Sequence, residues 1–264
     1  MKRLISAVKF AMFLIWCLMQ APFTFTIAFF SRRFGVWQFR MFTLGLTKIF
    51  RIRIRQTGEL SGERPLLLVS NHISIFELIA FSAFFNATFF AKGEIKKMFP
   101  VNMFVQNFGN AFIDRRPAKA KQMIEMVGRK MRQAKNPFAV FAEGTTNNGS
   151  YILPYKSALF DFLREMKDVK IQPVVLFYRD AKGNKIPPQV LADEYAYIAN
   201  AKQTQPPYAK KELSILELLW RTLLRGGFTF DVHLLPVFDW TGMDRKQIAQ
   251  KLHEIASAKF QEMI

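Results

Sequence analysis

Between residues 65 and 178 the chain alternates short apolar runs with segments of helical spacing. "PLLLVS" (65–70), "ATFFAK" (87–92), "NAFIDR" (110–115), "FAVFAEG" (138–144) and "KIQPVVLFY" (170–178) read as strands. Residues 74–85, 118–135 and 156–167 between them read as helices, with Met123, Ile124, Val127 and Met131 marking the apolar side of one. A strand of continuous apolar residues must be covered on both faces. Strands alternating with helices achieve this in an α/β layer fold with a largely parallel central sheet flanked by helices. "GVWQFRMFTLGLTKIFRIRIRQTG" (35–58) reads as a basic, apolar helix passing into a short alternating strand. Residues 228–238 suit a last strand and 244–264 an amphipathic closing helix. "ELSILELLWRTLLRGG" is helical, and "PPQVLADEYAYIANAKQTQPPYAK" reads as an irregular excursion.

The N-terminus follows a different rule. From Phe10 to Ser31 no residue is charged, while Lys2, Arg3 and Lys9 precede the run and Arg32 and Arg33 follow it. Its length is near the ~20 residues that a bilayer-spanning helix needs. It lacks the small-residue cleavage site of a secretory signal. Both flanks are basic and Gln20 and Pro22 interrupt the middle. This favours a bent or hairpin-like pair of helices dipping into one leaflet, both ends at one anionic face, over a true span. The expected division is a membrane-associating helical segment over 1–57 and the α/β domain over 58–264.

Composition decides what this chain meets. Lys+Arg 38 against Asp+Glu 20 gives a net charge of +18, which attracts nucleic acid, an acidic membrane face or phosphorylated substrates. The 29 Phe lie mostly in apolar runs rather than interleaved with Lys and Arg, which favours a membrane surface over bases to stack on. The single cysteine, Cys17, allows neither an intrachain disulfide nor a cysteine-built metal cluster. His233 and His253 stand alone without metal-ligand spacing. A reducing, cytosol-facing location is consistent with this.

Sites in open α/β sheets gather where strands end. Three polar clusters occupy such ends. "NHISIFE" (71–77) places His72 after the first strand with Glu77 five positions on. A histidine suits general-base work at neutral pH, and a carboxylate would fix its tautomer and stabilise the imidazolium. Five positions do not share a helix face, so the pair needs His72 before the helix and a chain that folds back. The rival reading is structural: Ser74 to Glu77 is a capping-box pattern, with the carboxylate turned to the Ser74 backbone. "FAEGTTNNG" (141–149) ends a strand on Gly144 and offers hydroxyls and backbone N–H groups to an anion, or is simply a polar loop. "FIDRRP" (112–117) offers the Arg115 guanidinium to a phosphate, or pairs it with Asp114.

In this order the clusters resemble the glycerolipid acyltransferase family that includes the 1-acylglycerol-3-phosphate acyltransferases. "NHISIFE" resembles its N-H-x-x-x-x-D block, "GNAFIDR" (109–115) its second block, "FAEGT" its F-P-E-G-T block, and "IQPVV" (171–175) its short proline-containing block. The resemblance covers roughly residues 65–180. Glu77 stands where the family has Asp, one methylene longer, and Ala142 where it has Pro.

The resemblance implies transfer of a fatty acyl group from a thioester, on acyl carrier protein or coenzyme A, to a lysolipid hydroxyl. The acceptor implied is 1-acylglycerol 3-phosphate, or in a neighbouring branch lyso-ornithine lipid or another lysophospholipid. It implies His72 as base and Glu77 as its orienting partner. Arg115, Gly144 and Thr145 would hold the acceptor phosphate, Glu143 would shape that turn, and Lys92 would add positive potential. No metal or other cofactor is implied, and the expected place is the inner or cytoplasmic membrane with the catalytic domain facing the cytoplasm. Expected partners are the lysolipid, the thioester donor and an anionic membrane, and not nucleic acid. A non-catalytic membrane- or nucleic-acid-binding protein is the rival from another class.

Overall fold

A computed structural model describes residues 2–25, 32–92, 111–113, 120–197, 206, 209 and 213–264. Its centre is a seven-stranded sheet: β1 (Ile52–Thr57), β2 (Leu66–Ser70), β3 (Thr88–Lys92), β4 (Ala111–Ile113), β5 (Phe138–Phe141), β6 (Lys170–Asp180) and β7 (Phe228–Leu234). The strand order is β1-β7-β6-β2-β5-β3-β4. Neighbouring strands are parallel except β6 and β7. The helices are α1 (Lys2–Phe25), α2 (Arg32–Phe50), α3 (Phe76–Phe85), α4 (Ala120–Gln133), α5 (Pro188–Glu194), α6 (Ile215–Arg225) and α7 (Arg245–Met263).

The pleat sends alternate side chains to opposite faces. Leu66 and Leu68 of β2, with Val174, Leu176 and Tyr178 of β6, enter one core, beneath α2, α3 and α6. Leu67 and Val69, with Ile171, Val175 and Phe177, enter the other, beneath α4, α7 and a 3₁₀ helix at Ser157–Arg164. Both faces are therefore covered, which is why β2 reads as an unbroken apolar run.

Several elements differ from the sequence expectation for physical reasons. Residues 157–164 form a 3₁₀ helix rather than an α-helix. Leu159 with Phe162 and Phe160 with Leu163 are buried in pairs three apart, the spacing that a three-residue turn aligns. The expected irregular excursion contains α5, which starts on Pro188, where a missing N–H costs nothing. β1 pairs with β7 across its whole length, so residues 52–57 belong to the sheet and not to an N-terminal segment ending at 57.

The N-terminal run is a single helix that continues through Pro22 to Phe25. The expected bend inside the run is absent from the described residues; the partner helix is α2. Trp16 Nε1 donates to the Phe42 carbonyl at 3.0 Å and Gln38 Nε2 to the Gln20 carbonyl at 3.1 Å, so the two helices pack antiparallel. By length and composition α1 is apolar enough to cross a membrane. Leu18 is 73% exposed, and Leu4, Ile5, Val8, Met12, Ile15, Met19 and Phe23 are also exposed.

Candidate active site

The chain leaves β2 for α3 on one face of the sheet and leaves β5 for the 3₁₀ helix on the other. β2 and β5 are neighbours, so their carboxyl ends border a crevice between diverging connections. His72 lies just past the end of β2, and Glu143, Gly144 and Thr145 just past the end of β5.

Nδ1 of His72 is 2.9 Å from Glu77 Oε2. The chain folds back between them, because α3 begins only at Phe76. The same carboxylate accepts the Ser74 backbone N–H on both oxygens, at 3.0 and 2.8 Å. The clasp and half of the capping box therefore hold together: Glu77 accepts the Ser74 N–H and clasps the imidazole, while the N-cap residue is Ile75 and no side chain caps the helix. Tyr178 Oη donates to Glu77 Oε1 at 2.6 Å. Glu77 is fully buried, and a buried carboxylate is tolerable only when its lone pairs are filled in this way. Burial and the Glu77 charge hold the Tyr178 hydroxyl well above the ordinary phenol range, so it stays a donor.

Facing a carboxylate, Nδ1 carries the proton, which leaves the lone pair on Nε2. Nε2 has no hydrogen-bond partner among the described residues, and the side chain keeps 17% of its surface open. The ring lies flat on Phe141, centroids 4.2 Å apart and planes 12° apart, and Phe141 stacks in turn near Phe89. Carboxylate and aromatic face together fix the direction in which Nε2 points. Asn71 is buried and bonds both ways to the Leu176 backbone, donating to its carbonyl at 3.1 Å and accepting its N–H at 2.8 Å. This pins the end of β2 to β6.

The turn after β5 wraps the His72 backbone. Glu143 Oε1 accepts the His72 N–H at 2.7 Å, and the His72 carbonyl accepts the Asn147 N–H at 3.0 Å. Glu143 Oε2 accepts from Asn147 Nδ2 and, at 2.9 Å, from the Leu153 N–H. The carboxyl is fully buried and faces inward, so it shapes the turn and does not reach a substrate. Burial pushes it up to about 8, against the pull of the Leu153, His72 and Asn147 donors, and the nearby Glu77 charge adds to the rise.

Gly144 sits at φ +70°, the left-handed region. Thr145 is half-buried, and its hydroxyl has only a 3.5 Å contact to the Thr146 carbonyl. Thr146, Asn147 and Asn148 are all buried. Lys92 is the last residue of β3, beside β5. Arg115 lies outside the described residues. Away from the crevice, His253 Nε2 lies 3.1 Å from the Ile152 carbonyl.

Sequence reasoning missed Tyr178 as part of this site, and it gave no role to Asn71, Phe141 or Asn147 although they lie inside the quoted clusters. The signal for Tyr178 was its phase: it alternates with Leu176 and Val174 onto the face that α3 covers.

The comparisons meet this geometry at the same residues. Residues 51–177 match the family model described as acyltransferase. The chain carries an acyltransferase-family domain. The match runs from β1 into β6 and so contains His72, Glu77 and the Glu143 turn, and it ends one residue before Tyr178. The chain is 29% identical over 229 residues to a lyso-ornithine lipid O-acyltransferase of Brucella abortus (strain 2308), covering 83% of this chain and 80% of that one. It is 27% identical over 202 residues to a 1-acyl-sn-glycerol-3-phosphate acyltransferase of Neisseria gonorrhoeae, covering 75% and 71%. The crystal structure of the 1-acyl-sn-glycerophosphate acyltransferase PlsC from Thermotoga maritima superposes with a TM-score of 0.65 at 15% identity, over 100% of this chain and 98% of that one. That likeness shows a shared fold for the acyltransferase domain and the helices that precede it.

Proposed function

We propose that this protein moves a fatty acyl group from a thioester donor to the free hydroxyl of a membrane lysolipid, with 1-acyl-sn-glycerol 3-phosphate as the acceptor and phosphatidic acid as the product. The observation that carries the reading is the His72 ring: it is clasped at Nδ1 by a buried carboxylate, keeps part of its surface open, and has no hydrogen-bond partner at Nε2 among the described residues. Nε2 takes the acceptor hydroxyl proton as the oxygen attacks the thioester carbonyl. The tetrahedral intermediate then expels the thiolate, which takes the proton from the imidazolium. Glu77 balances the imidazolium charge while it exists.

The donor is acyl-coenzyme A or acyl carrier protein, both anionic and suited to a chain of net charge +18. The exposed apolar surface of α1 and the basic residues at its start hold the crevice against an anionic leaflet, as a monotopic anchor with the catalytic domain on the cytoplasmic side. Arg115, Lys92 and the Gly144–Thr145 turn supply the positive and hydrogen-bonding surface for the acceptor phosphate.

A second acceptor, lyso-ornithine lipid, is favoured by the relative from Brucella abortus, which aligns over more of this chain than the one from Neisseria gonorrhoeae. Acyl transfer by the purified protein to a panel of lysolipids, with each donor type, decides between them. The reading expects transfer to 1-acylglycerol 3-phosphate to exceed that to the others. Absence of transfer to every lysolipid would remove the proposed reaction.

A further inference from the structure

Lys156 lies twelve residues beyond Gly144 in sequence and directly against it in space. Two bonds strap its segment to the turn after β5: the Leu153 N–H donates to Glu143 at 2.9 Å, and the Lys156 N–H donates to the Ala142 carbonyl at 2.8 Å. A Cβ at position 144 would stand 3.2 Å from Lys156 Cγ. The lysine stem thus fills the space over the glycine that follows the end of β5, the strand beside β2, and Lys156 is exposed.

Most polar groups of this turn are already committed inward. Thr146 Oγ1 bonds the Tyr197 carbonyl, Asn147 Nδ2 bonds Glu143 and the Tyr151 carbonyl, and Asn148 Oδ1 takes the Ser150 N–H. Glu143, the one carboxyl of the turn, is buried and saturated. Lys156 forms no ion pair among the described residues. Apart from the buried Ser150 and Tyr155 hydroxyls, the side-chain groups of this stretch left without a strong partner among the described residues are therefore the Thr145 hydroxyl and the Lys156 ammonium. A cation whose stem is held in place but whose charge is unmatched is arranged for an anion that arrives with a ligand.

We propose that Lys156 grips the oxyanion of the acceptor headgroup and thereby sets the enzyme's preference for anionic lysolipids. The inference rests on the acyl-transfer reading for its chemistry, but its binding consequence is separable from it. The ammonium ion-pairs with the headgroup phosphate and Thr145 Oγ1 donates beside it, which holds the glycerol hydroxyl toward His72 Nε2. The residue acts on binding, so it shifts KM for the acceptor and leaves proton transfer alone. Its partly solvated position limits the effect to about threefold to tenfold, falling as salt rises.

The test compares wild type, Lys156→Met and Lys156→Arg in neutral detergent micelles. Acceptors are 1-acylglycerol 3-phosphate and an uncharged monoacylglycerol. Lys156→Met keeps the stem over Gly144, and melting curves check that the fold survives. The expected result is a rise of about threefold to tenfold in KM for the phosphate acceptor. The rise for monoacylglycerol stays under about twofold, and Lys156→Arg restores the preference. Unchanged KM for the phosphate acceptor in Lys156→Met overturns the proposal. A rise confined to KM for the thioester donor also overturns it, since the lysine would then serve the donor's anion. A parallel titration of fluorescent 1-acylglycerol 3-phosphate into His72→Ala and His72→Ala/Lys156→Met measures binding without turnover. If wild type transfers to no lysolipid yet this pair differs in affinity, the proposed reaction fails and the headgroup contact stands; if the pair binds alike, the contact fails on its own.

Discussion

Tyr178 Oη donates a 2.6 Å hydrogen bond to Oε1 of Glu77, the oxygen that His72 does not use. One carboxylate is thus shared between a tyrosine from β6, an imidazole from the end of β2 and the backbone at the start of α3. This arrangement gives a physical reason for Glu where the family carries Asp. The longer side chain spans from the α3 helix to a hydroxyl on the sheet and still reaches His72.

Tyr178→Phe keeps the ring among Phe228, Phe230 and Tyr195 and removes only the donor. A hydrogen bond to a buried charge contributes ~1.5–3 kcal/mol. Turnover is expected to fall about tenfold with KM for the acceptor unchanged. Turnover that stays at the wild-type level would reduce Tyr178 to a packing residue.

Glu77→Asp restores the family residue and shortens the reach. An Asp carboxylate, one methylene shorter, is expected to lose one of the two bonds that Glu77 makes to His72 and Tyr178. Turnover is expected to drop about tenfold in the wild-type background and much less on top of Tyr178→Phe, because contacting residues couple by ~0.5–3 kcal/mol. A double-mutant cycle on kcat reads that coupling directly; strict additivity would separate the two residues.

Glu143 governs a pH dependence of stability. Its carboxyl is raised from 4.5 to about 8 in the folded chain. The folded state therefore keeps a proton that the unfolded chain releases near 4.5, and stability declines as pH rises from there to about 8, then levels. Glu143→Gln does not titrate. Melting temperatures followed across that range are expected to fall for wild type more steeply than for Glu143→Gln. Parallel curves would show that the carboxyl is ionised throughout.

Gly144→Ala places a side chain at φ +70° and against Lys156. Left-handed backbone costs an ordinary residue ~1–2 kcal/mol. For a domain of this size that lowers the melting temperature by about 2–8 °C, readable by calorimetry. An unchanged melting temperature would mean that the turn relaxes out of this conformation.

The layer architecture and the His72–Glu77 pair were legible because both are local. Apolar runs mark strands wherever both faces are covered, and the six residues from His72 to Glu77 suffice to write the pair. The dual use of Glu77 was half-legible: the sequence offered a cap and a clasp as rivals, whereas a carboxylate has lone pairs for both. Tyr178 was not legible as a site residue, because its meeting with Glu77 depends on β6 lying beside β2, a fact of sheet order. The inward turn of Glu143 was hidden for a similar reason, since its partners Leu153 and Asn147 belong to the loop that it organises. Pro22 and Pro187-Pro188 misled in opposite directions. One lies within a helix that continues past it, and the others open a helix that their presence argued against.

The most direct test of the base assignment is the rate of acyl transfer by His72→Ala, measured beside wild type at saturating donor and acceptor. Alanine removes Nε2 while Glu77 keeps its bonds to Ser74 and Tyr178, so the fold is expected to persist. The account expects the rate to fall about 10²–10⁴-fold with lysolipid binding retained. Transfer at a rate close to wild type would contradict it.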